Sequence, residues 1–274
     1  MAHTNDIWYI YGVMRATLEA NQFPEGLDDA PVERCVEGGM AALFSRLDGE
    51  RYAPAAIERA TEDVEWLAPR AVAHDRVLTW ASDKGPVVPL PIFSLFSGEQ
   101  AVRTMLRERR VALDTALRRA SAGREYSLRV YRIDSELGPV ATELSPTLAE
   151  LHKAASEASP GQRYLLERKL DAARKKELHG IGARVARDVI DALLPHAVET
   201  LENRVTTRAP RDAAGLLILD AAFLIEPSSL TDFQRQLMAI VTRHGSRGFR
   251  FDFTGPWPPY HFVRDQQERA ADDA

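Results

Sequence analysis

His74 and Asp75 stand side by side, and an adjacent histidine and aspartate can hold a metal ion in phosphohydrolases. Such a centre needs further histidines and acids. The seven histidines of the chain lie far apart, with no ligand spacing, so neither a metal nor a cofactor is expected. On a helix, His74 falls near Leu67, Ala71 and Leu78. A histidine at the boundary of the core is therefore the stronger reading, and a ligand or catalytic role the weaker one. A second group is basic: Arg103, Arg107, Arg109, Arg110, Arg118 and Arg119 share one helical stretch with Glu99, Glu108 and Asp114. A solvated face explains that pattern first, and an anion or acidic-partner surface second. The run Arg163–Lys176 reads the same way, with Tyr164 and Lys169 near its start. No G-x-S-x-G, H-E-x-x-H, P-loop or calcium-loop pattern occurs. Gly180-Ile-Gly182 lacks the third glycine of a dinucleotide loop and sits inside a helix, so it carries no cofactor expectation. No catalytic residue is assigned.

The other concentrated feature is aromatic. Phe251-Asp-Phe-Thr-Gly-Pro-Trp-Pro-Pro-Tyr-His-Phe-Val263 begins as a strand continuing from Phe249. Gly255-Pro256 stops the strand, and Pro258-Pro259 forces an extended exit around Trp257 and Tyr260. Phe253 and Gly255 through Tyr260 form a structural or partner-binding signature. Aromatics at this density help only where the backbone is held, so the segment reads as a latch onto a folded domain. If the Trp257 ring is buried, Trp257→Ala costs about 3–5 kcal/mol.

The elements that must position these groups follow from periodicity. Ile7–Met14 predicts a strand, and Val32–Val36 and Met40–Arg46 a hairpin split at Gly38-Gly39. Pro54 opens a helix that Pro69 should kink. Pro86–Phe96, punctuated by prolines, is an edge strand or irregular. Ser97-Gly98-Glu99-Gln100 is a capping-box pattern before a helix that ends at Gly123, and Tyr126–Ile133 alternates as a strand. Residues 1–134 thus approximate a ferredoxin-like β-α-β-β-α-β domain in modified form. Residues 135–160 are expected as a linker with a short helix. Gln162–Asn203 reads as one long helix or a helix pair, roughly 60 Å if unbroken. Strands at Arg204–Arg208, Gly215–Ile225 and Gly248–Thr254, with a helix over Ser228–His244, complete a C-terminal α+β domain over 161–263 with a small antiparallel sheet. Residues 264–274 are polar and expected to be disordered.

The bulk numbers fit this division. The chain has 274 residues, 45% hydrophobic and 27% charged, with a net charge of −5. No like-charged block points to nucleic acid. One cysteine, Cys35, leaves no disulfide framework. No secretory signal opens the sequence, and no apolar run is long enough to span a bilayer, so a cytosolic setting is expected.

Several segments together resemble the gas vesicle protein L/F family. Tyr9-Ile-Tyr-Gly-Val13 is similar to its opening strand and Ala42-Leu-Phe-Ser45 to the next one. His74-Asp-Arg-Val-Leu78 resembles its His-Glu-x-Val-Leu helix, and Tyr164-Leu-Leu-Glu-Arg-Lys169 its Tyr-Leu-x-x-Lys start of the long helix. Ala221-Ala-Phe-Leu-Ile225 and Gly255-Pro-Trp-Pro-Pro-Tyr260 match closely and in order. Pro89-Leu-Pro-Ile-Phe93 departs from Pro-Leu-Arg-Phe-Gly-Thr: Pro91 replaces the arginine, and the Gly-Thr pair is absent at Ser94-Leu95. The resemblance implies a non-enzymatic accessory protein for gas vesicle formation. Its implied partners are the hydrophobic shell protein and other accessory proteins, with Arg103, Arg107, Arg110 and the two long-helix and C-terminal signatures as candidate contacts. The competing expectation is a small-molecule-binding protein or enzyme on a ferredoxin-like scaffold, using His74 and Asp75.

Overall fold

The computed structural model of the protein describes residues 6–17, 22–205 and 215–263. The architecture is α+β, with two compact units: Met1–Glu125 together with Pro256–Ala274, and Tyr126–Gly255.

The first unit is built on β1 (Asp6–Arg15), β2 (Glu33–Glu37), β3 (Met40–Asp48) and β4 (Val87–Pro89), in the order β2-β3-β1-β4. A short β5 (Leu95–Phe96) also pairs with β1. All these pairs are antiparallel. Gly38 and Gly39 take positive φ, as a two-residue hairpin turn demands. The alternation of β1 slips once, between Ile10 and Gly12. Before the slip Tyr9 and Tyr11 face one core and Ile10 the other; after it Val13 joins Ile10 and Met14 joins the tyrosines. A bulge inserts one residue and so flips the phase. Gly12 sits there because a Cβ would fall 2.8 Å from the Val88 carbonyl oxygen.

Helices cover both faces of this sheet. The expected first helix divides into α1 (Pro54–Ala60) and α2 (Val64–Lys84). The break is set by Asp63, whose side chain accepts from the Glu65 and Trp66 N–H groups, and Pro69 lies within α2. Ala73, Val77, Leu78 and Ala81 of α2 pack against Tyr9, Tyr11 and Leu43. On the other face, α3 (Glu99–Glu108) and α4 (Arg110–Ala120) bring Val102, Leu106, Leu113 and Leu117 onto Ile10, Ala42 and Phe44. Gly98, not Ser97, is the residue at the start of α3, and no side chain caps it. Among the described residues no α-helix stands between β1 and β2, which is the modification of the ferredoxin-like plan in this unit.

The second unit carries that plan in full. β6 (Arg124–Arg132) leads through α5 (Asp134–Leu144), α6 (Pro146–Glu157) and α7 (Pro160–Leu193) to β7 (Glu199–Glu202) and β8 (Leu216–Ile225). Then come α8 (Leu230–His244) and β9 (Phe249–Trp257), and the sheet order is β7-β8-β6-β9. Residues 135–160, expected as a linker, form two helices whose Leu137, Ala141 and Leu148 lie in the core with Phe223, Phe233 and Phe249. The long helix ends at Leu193 rather than near residue 203, because Pro195 lacks the N–H to continue it. Strand β7 occupies Glu199–Glu202 instead, and most of the expected strand Arg204–Arg208 lies outside the described residues, as does 264–274. In α7 the apolar spacing is buried only in the second half, at Leu178, Ile181, Val185 and Val189.

After Gly255 the chain rejoins the first unit. Pro258 and Pro259 are buried, and the one-turn α9 (Tyr260–Val263) lies against α4 and β4. No helix among the described residues is long and apolar enough to cross a membrane.

Candidate functional site

Beside β4 the first unit holds a cavity of about 460 Å³. β4 is the edge of its sheet, and Pro86, Pro89 and Pro91 remove the backbone donors that another strand would need. The chain covers that edge with side chains instead. Helix α2 contributes Ala71, His74 and Asp75, and the segment from β4 contributes Val88 to Ile92. Arg109, Ala112, Leu113 and Ala116 form a third wall with α4, and Tyr260 and Val263 close it from α9.

The polar groups of this recess are tied to one another. The Tyr9 hydroxyl lies 2.6 Å from His74 Nδ1. Burial pushes the Tyr9 pKa up, while a hydrogen bond from the Phe93 backbone N–H pulls it down. With the Tyr9 oxygen accepting from Phe93, its O–H donates to Nδ1, which assigns the proton of the imidazole to Nε2. Nε2 is sealed from solvent without a well-formed partner. Burial drags the His74 pKa down to about 4, against a weaker upward pull from the Leu90 backbone. His74 is thus a neutral core histidine linking α2 to the segment after β4. Asp75 is half-buried. Burial raises its pKa, opposed by hydrogen bonds from the Tyr260 and Thr79 hydroxyls. The Tyr260 pKa is raised by burial and then by the charge of Asp75.

A second tie fixes α9. Glu125 is 1% exposed, and its carboxylate accepts from the His261 N–H at 3.0 Å and meets His261 Nδ1 at 2.7 Å. Deeper in the same unit, Arg70 donates from Nε to the Tyr52 hydroxyl (2.9 Å) and from an Nη to Asp28 (2.7 Å). Its guanidinium stands 4.0 Å over the Trp66 ring. Burial leads the rise of the Tyr52 pKa to about 12. Phe93, stacked on Trp66 with ring centroids 5.5 Å apart, has φ +63, a left-handed conformation that is strained for a bulky residue.

The residues singled out from sequence do not converge on one site. Arg103 bonds Glu99, Glu37 and the Val36 carbonyl, and Arg107 pairs with Glu37, so much of the basic face is neutralised locally. Arg110 is exposed. Tyr164 and Lys169 are exposed on the first half of α7. Phe253 is packed into the second unit, stacked on Tyr126 at 5.3 Å. Gly255, Pro256 and Trp257 are exposed, whereas Pro258 and Pro259 are buried. Trp257 keeps 38% of its surface, so the latch is seated by its prolines, Tyr260 and the fully buried Phe262 rather than by the tryptophan. His74 and Asp75 do share the recess, and the other ionisable groups lining it are Arg109 and Tyr260. Among the described residues no three metal-binding side chains gather. Sequence reasoning passed over Arg70 and Glu125. Their only signal was a charged residue within or beside an apolar stripe.

A two-unit α+β protein whose first unit holds a largely apolar recess is the class these features define. The family follows from comparison with known proteins. The family model for the gas vesicle synthesis protein GvpL/GvpF matches residues 7–264, and the chain belongs to that family. It is 26% identical to gas vesicle protein L of a Streptomyces species over 97% of this chain and 96% of that protein. It is likewise 26% identical to gas vesicle protein L2 of Halobacterium salinarum, over 96% of this chain and 94% of that one. Among solved structures, the gas vesicle protein GvpF of an Anabaena species matches with a TM-score of 0.72 at 19% identity, covering 96% of this chain and 100% of that one. GvpF of Microcystis aeruginosa matches with a TM-score of 0.67 at 19% identity, over 94% and 99% of the two chains. These structural likenesses speak for the fold.

Proposed function

We propose that the protein is a non-enzymatic accessory factor that binds the hydrophobic shell protein, or other accessory proteins, while gas vesicles assemble in the cytoplasm. The observation that carries this reading is a family match running from residue 7 to 264. A shell subunit must be kept soluble until it joins the growing wall, and a folded protein can do that by covering its apolar face. Surfaces suited to contact are present. Tyr164 and Leu165 on α7 are 62% and 60% exposed, and Trp257 stands partly in solvent. Co-expression with the shell and accessory proteins, followed by pull-down of this chain, tests the reading. Retention of shell protein or of another vesicle protein is the expected result, and retention of none defeats it.

The recess holding His74 and Asp75 favours a second reading, a small-molecule site. Its weakness is chemical. A pocket that orients a polar ligand presents a few free, convergent polar groups, and here Asp75 and the buried nitrogen Nδ1 of His74 already have partners.

A further inference from the structure

We infer that the edge of β9 is the contact between two copies of this chain, which pair antiparallel about Phe251. β9 ends the sheet order β7-β8-β6-β9, so among the described residues no strand lies along its outer side. The other sheet edges are guarded. Pro86, Pro89 and Pro91 remove backbone donors along β4. On β2, Arg103 occupies the Val36 carbonyl. β7 spans only Glu199–Glu202, with a glutamate at each end. From Phe249 to Gly255, β9 carries neither proline nor lysine, two common means of blunting an edge.

The side chains select a second copy as the occupant, and they select its register. Phe249, Phe251 and Phe253 belong to the core cluster, so Arg250 and Asp252 stand on the opposite face of the sheet. Two identical edges pair antiparallel around a twofold axis normal to the sheet. Opposed residues then share a face, so the register must be centred on a residue. Centring on Arg250 or on Asp252 sets like charges together. Centring on Phe251 sets Arg250 against Asp252 of the partner subunit, twice by symmetry, with aromatic rings opposed on the other face. These pairs do not require free groups. Within one chain Arg250 Nη2 meets Asp252 Oδ2 at 2.8 Å, and the two side chains keep 42% and 41% of their surface. A guanidinium has several donors and a carboxylate a second oxygen, so cross-strand bonds join the existing one rather than replace it. Phe251 and Phe253 are only partly buried, and an added strand covers more of both. The matched stretch, Phe249 to Phe253, is short, so the association is weak and rises with concentration.

Sedimentation equilibrium of the full chain, from micromolar to near-millimolar concentration, tests this. Wild type should show a monomer–dimer equilibrium. Arg250→Asp and Asp252→Arg each place like charges in both cross-strand pairs, and each should weaken dimerisation about tenfold. Mixed together, the two variants regain both opposite-charge pairs and should form a mixed dimer close to wild type in strength. The double variant Arg250→Asp/Asp252→Arg should self-associate like wild type, and it keeps the test decisive if a single variant fails to fold. Wild type that stays monomeric throughout overturns the inference. So does association that neither single variant weakens, because the contact then lies elsewhere. Weakening that neither the mixture nor the double variant recovers also overturns it, because the charges then act within one chain.

Discussion

The first unit buries Tyr9, Tyr11, Ser45, Tyr52, Arg70 and His74 between α2 and its sheet. Nearly all are hydrogen-bonded across elements: Tyr11 to Ser45 at 2.8 Å, Ser45 to the Pro31 carbonyl, Tyr52 to Asp28 at 2.6 Å. The second unit fills the corresponding layer mainly with Leu128, Val130, Ile181, Val185, Phe223 and Phe233, with Arg132 a buried polar member that donates to the Leu178 carbonyl at 2.9 Å. The contrast concerns direction. An apolar core tolerates rotation and swaps of similar volume, whereas a hydrogen-bonded one fixes each group against a named partner and penalises its loss. The unit that holds the recess therefore has more of its buried side chains held in place by geometry as well as by volume. The segment Pro89–Phe93 shows this directly, tied to β1 and α2 through Tyr9 and His74 even as Phe93 holds a strained φ.

Volume loss should hurt the second unit most. Phe233→Ala removes a fully buried ring between Phe223 and Phe253, and should cost about 4 kcal/mol in a denaturant titration. In the first unit, Arg70→Met keeps the bulk but strands Asp28 and Tyr52. It should cost about 3 kcal/mol, moderated because Asp28 is a quarter exposed and keeps Arg51 at 3.0 Å. The comparison breaks if Arg70→Met is neutral, since that would make the polar network dispensable. Tyr9→Phe sharpens it: one oxygen is removed, yet His74 Nδ1 and the Phe93 N–H both lose a partner, for about 1–3 kcal/mol.

Acid separates the units further. His74 is held near pKa 4 in the fold against 6.5 when unfolded, so the unfolded chain binds the extra proton. Its contribution is intact above pH 6.5 and is lost as pH falls through about 4, a total of about 3 kcal/mol. Asp75, with a raised pKa, works in the opposite sense and offsets part of the loss. In the second unit His244 is also depressed by burial, with Asp188 opposing. Amide hydrogen exchange at pH 7 and pH 4.5, read separately in the two units, should show the larger loss of protection in the first. The difference should shrink in His74→Phe.

Much of this was legible in the chain. The β1 and β3 strands, the Gly38-Gly39 hairpin and the helix over Ser228–His244 follow from local pattern, because alternation and turn chemistry act within a few residues. The two helices over 134–157 were not legible as core. Few of their side chains are large and apolar, and Leu137 and Leu148 become buried only because α7 folds back over them. The complete β-α-β-β-α-β order of the second unit was hidden for the same reason, with β7 short and read as helix. At the recess, the sequence placed His74 and Asp75 as neighbours. It had no way to set Tyr260, 185 positions after Asp75, against that carboxylate.

The C-terminal segment gives the smallest effect and the finest version of the comparison. From sequence, Trp257 was the anchor, with a cost of about 3–5 kcal/mol for Trp257→Ala if buried. At 38% exposure, most of that cost disappears, and about 1 kcal/mol or less is expected. Phe262, with no exposed surface, should instead carry the large cost on truncation. Between them lies the test of how the latch is held. Glu125→Gln keeps the acceptor oxygen for the His261 N–H but removes the charge facing Nδ1 at 2.7 Å. An equal loss in Glu125→Gln and Glu125→Ala, read in a denaturant titration, would assign the hold to charge. A loss in Glu125→Ala alone would assign it to the hydrogen bond. No loss at all would leave Pro258, Pro259 and Phe262 to seat α9 by packing.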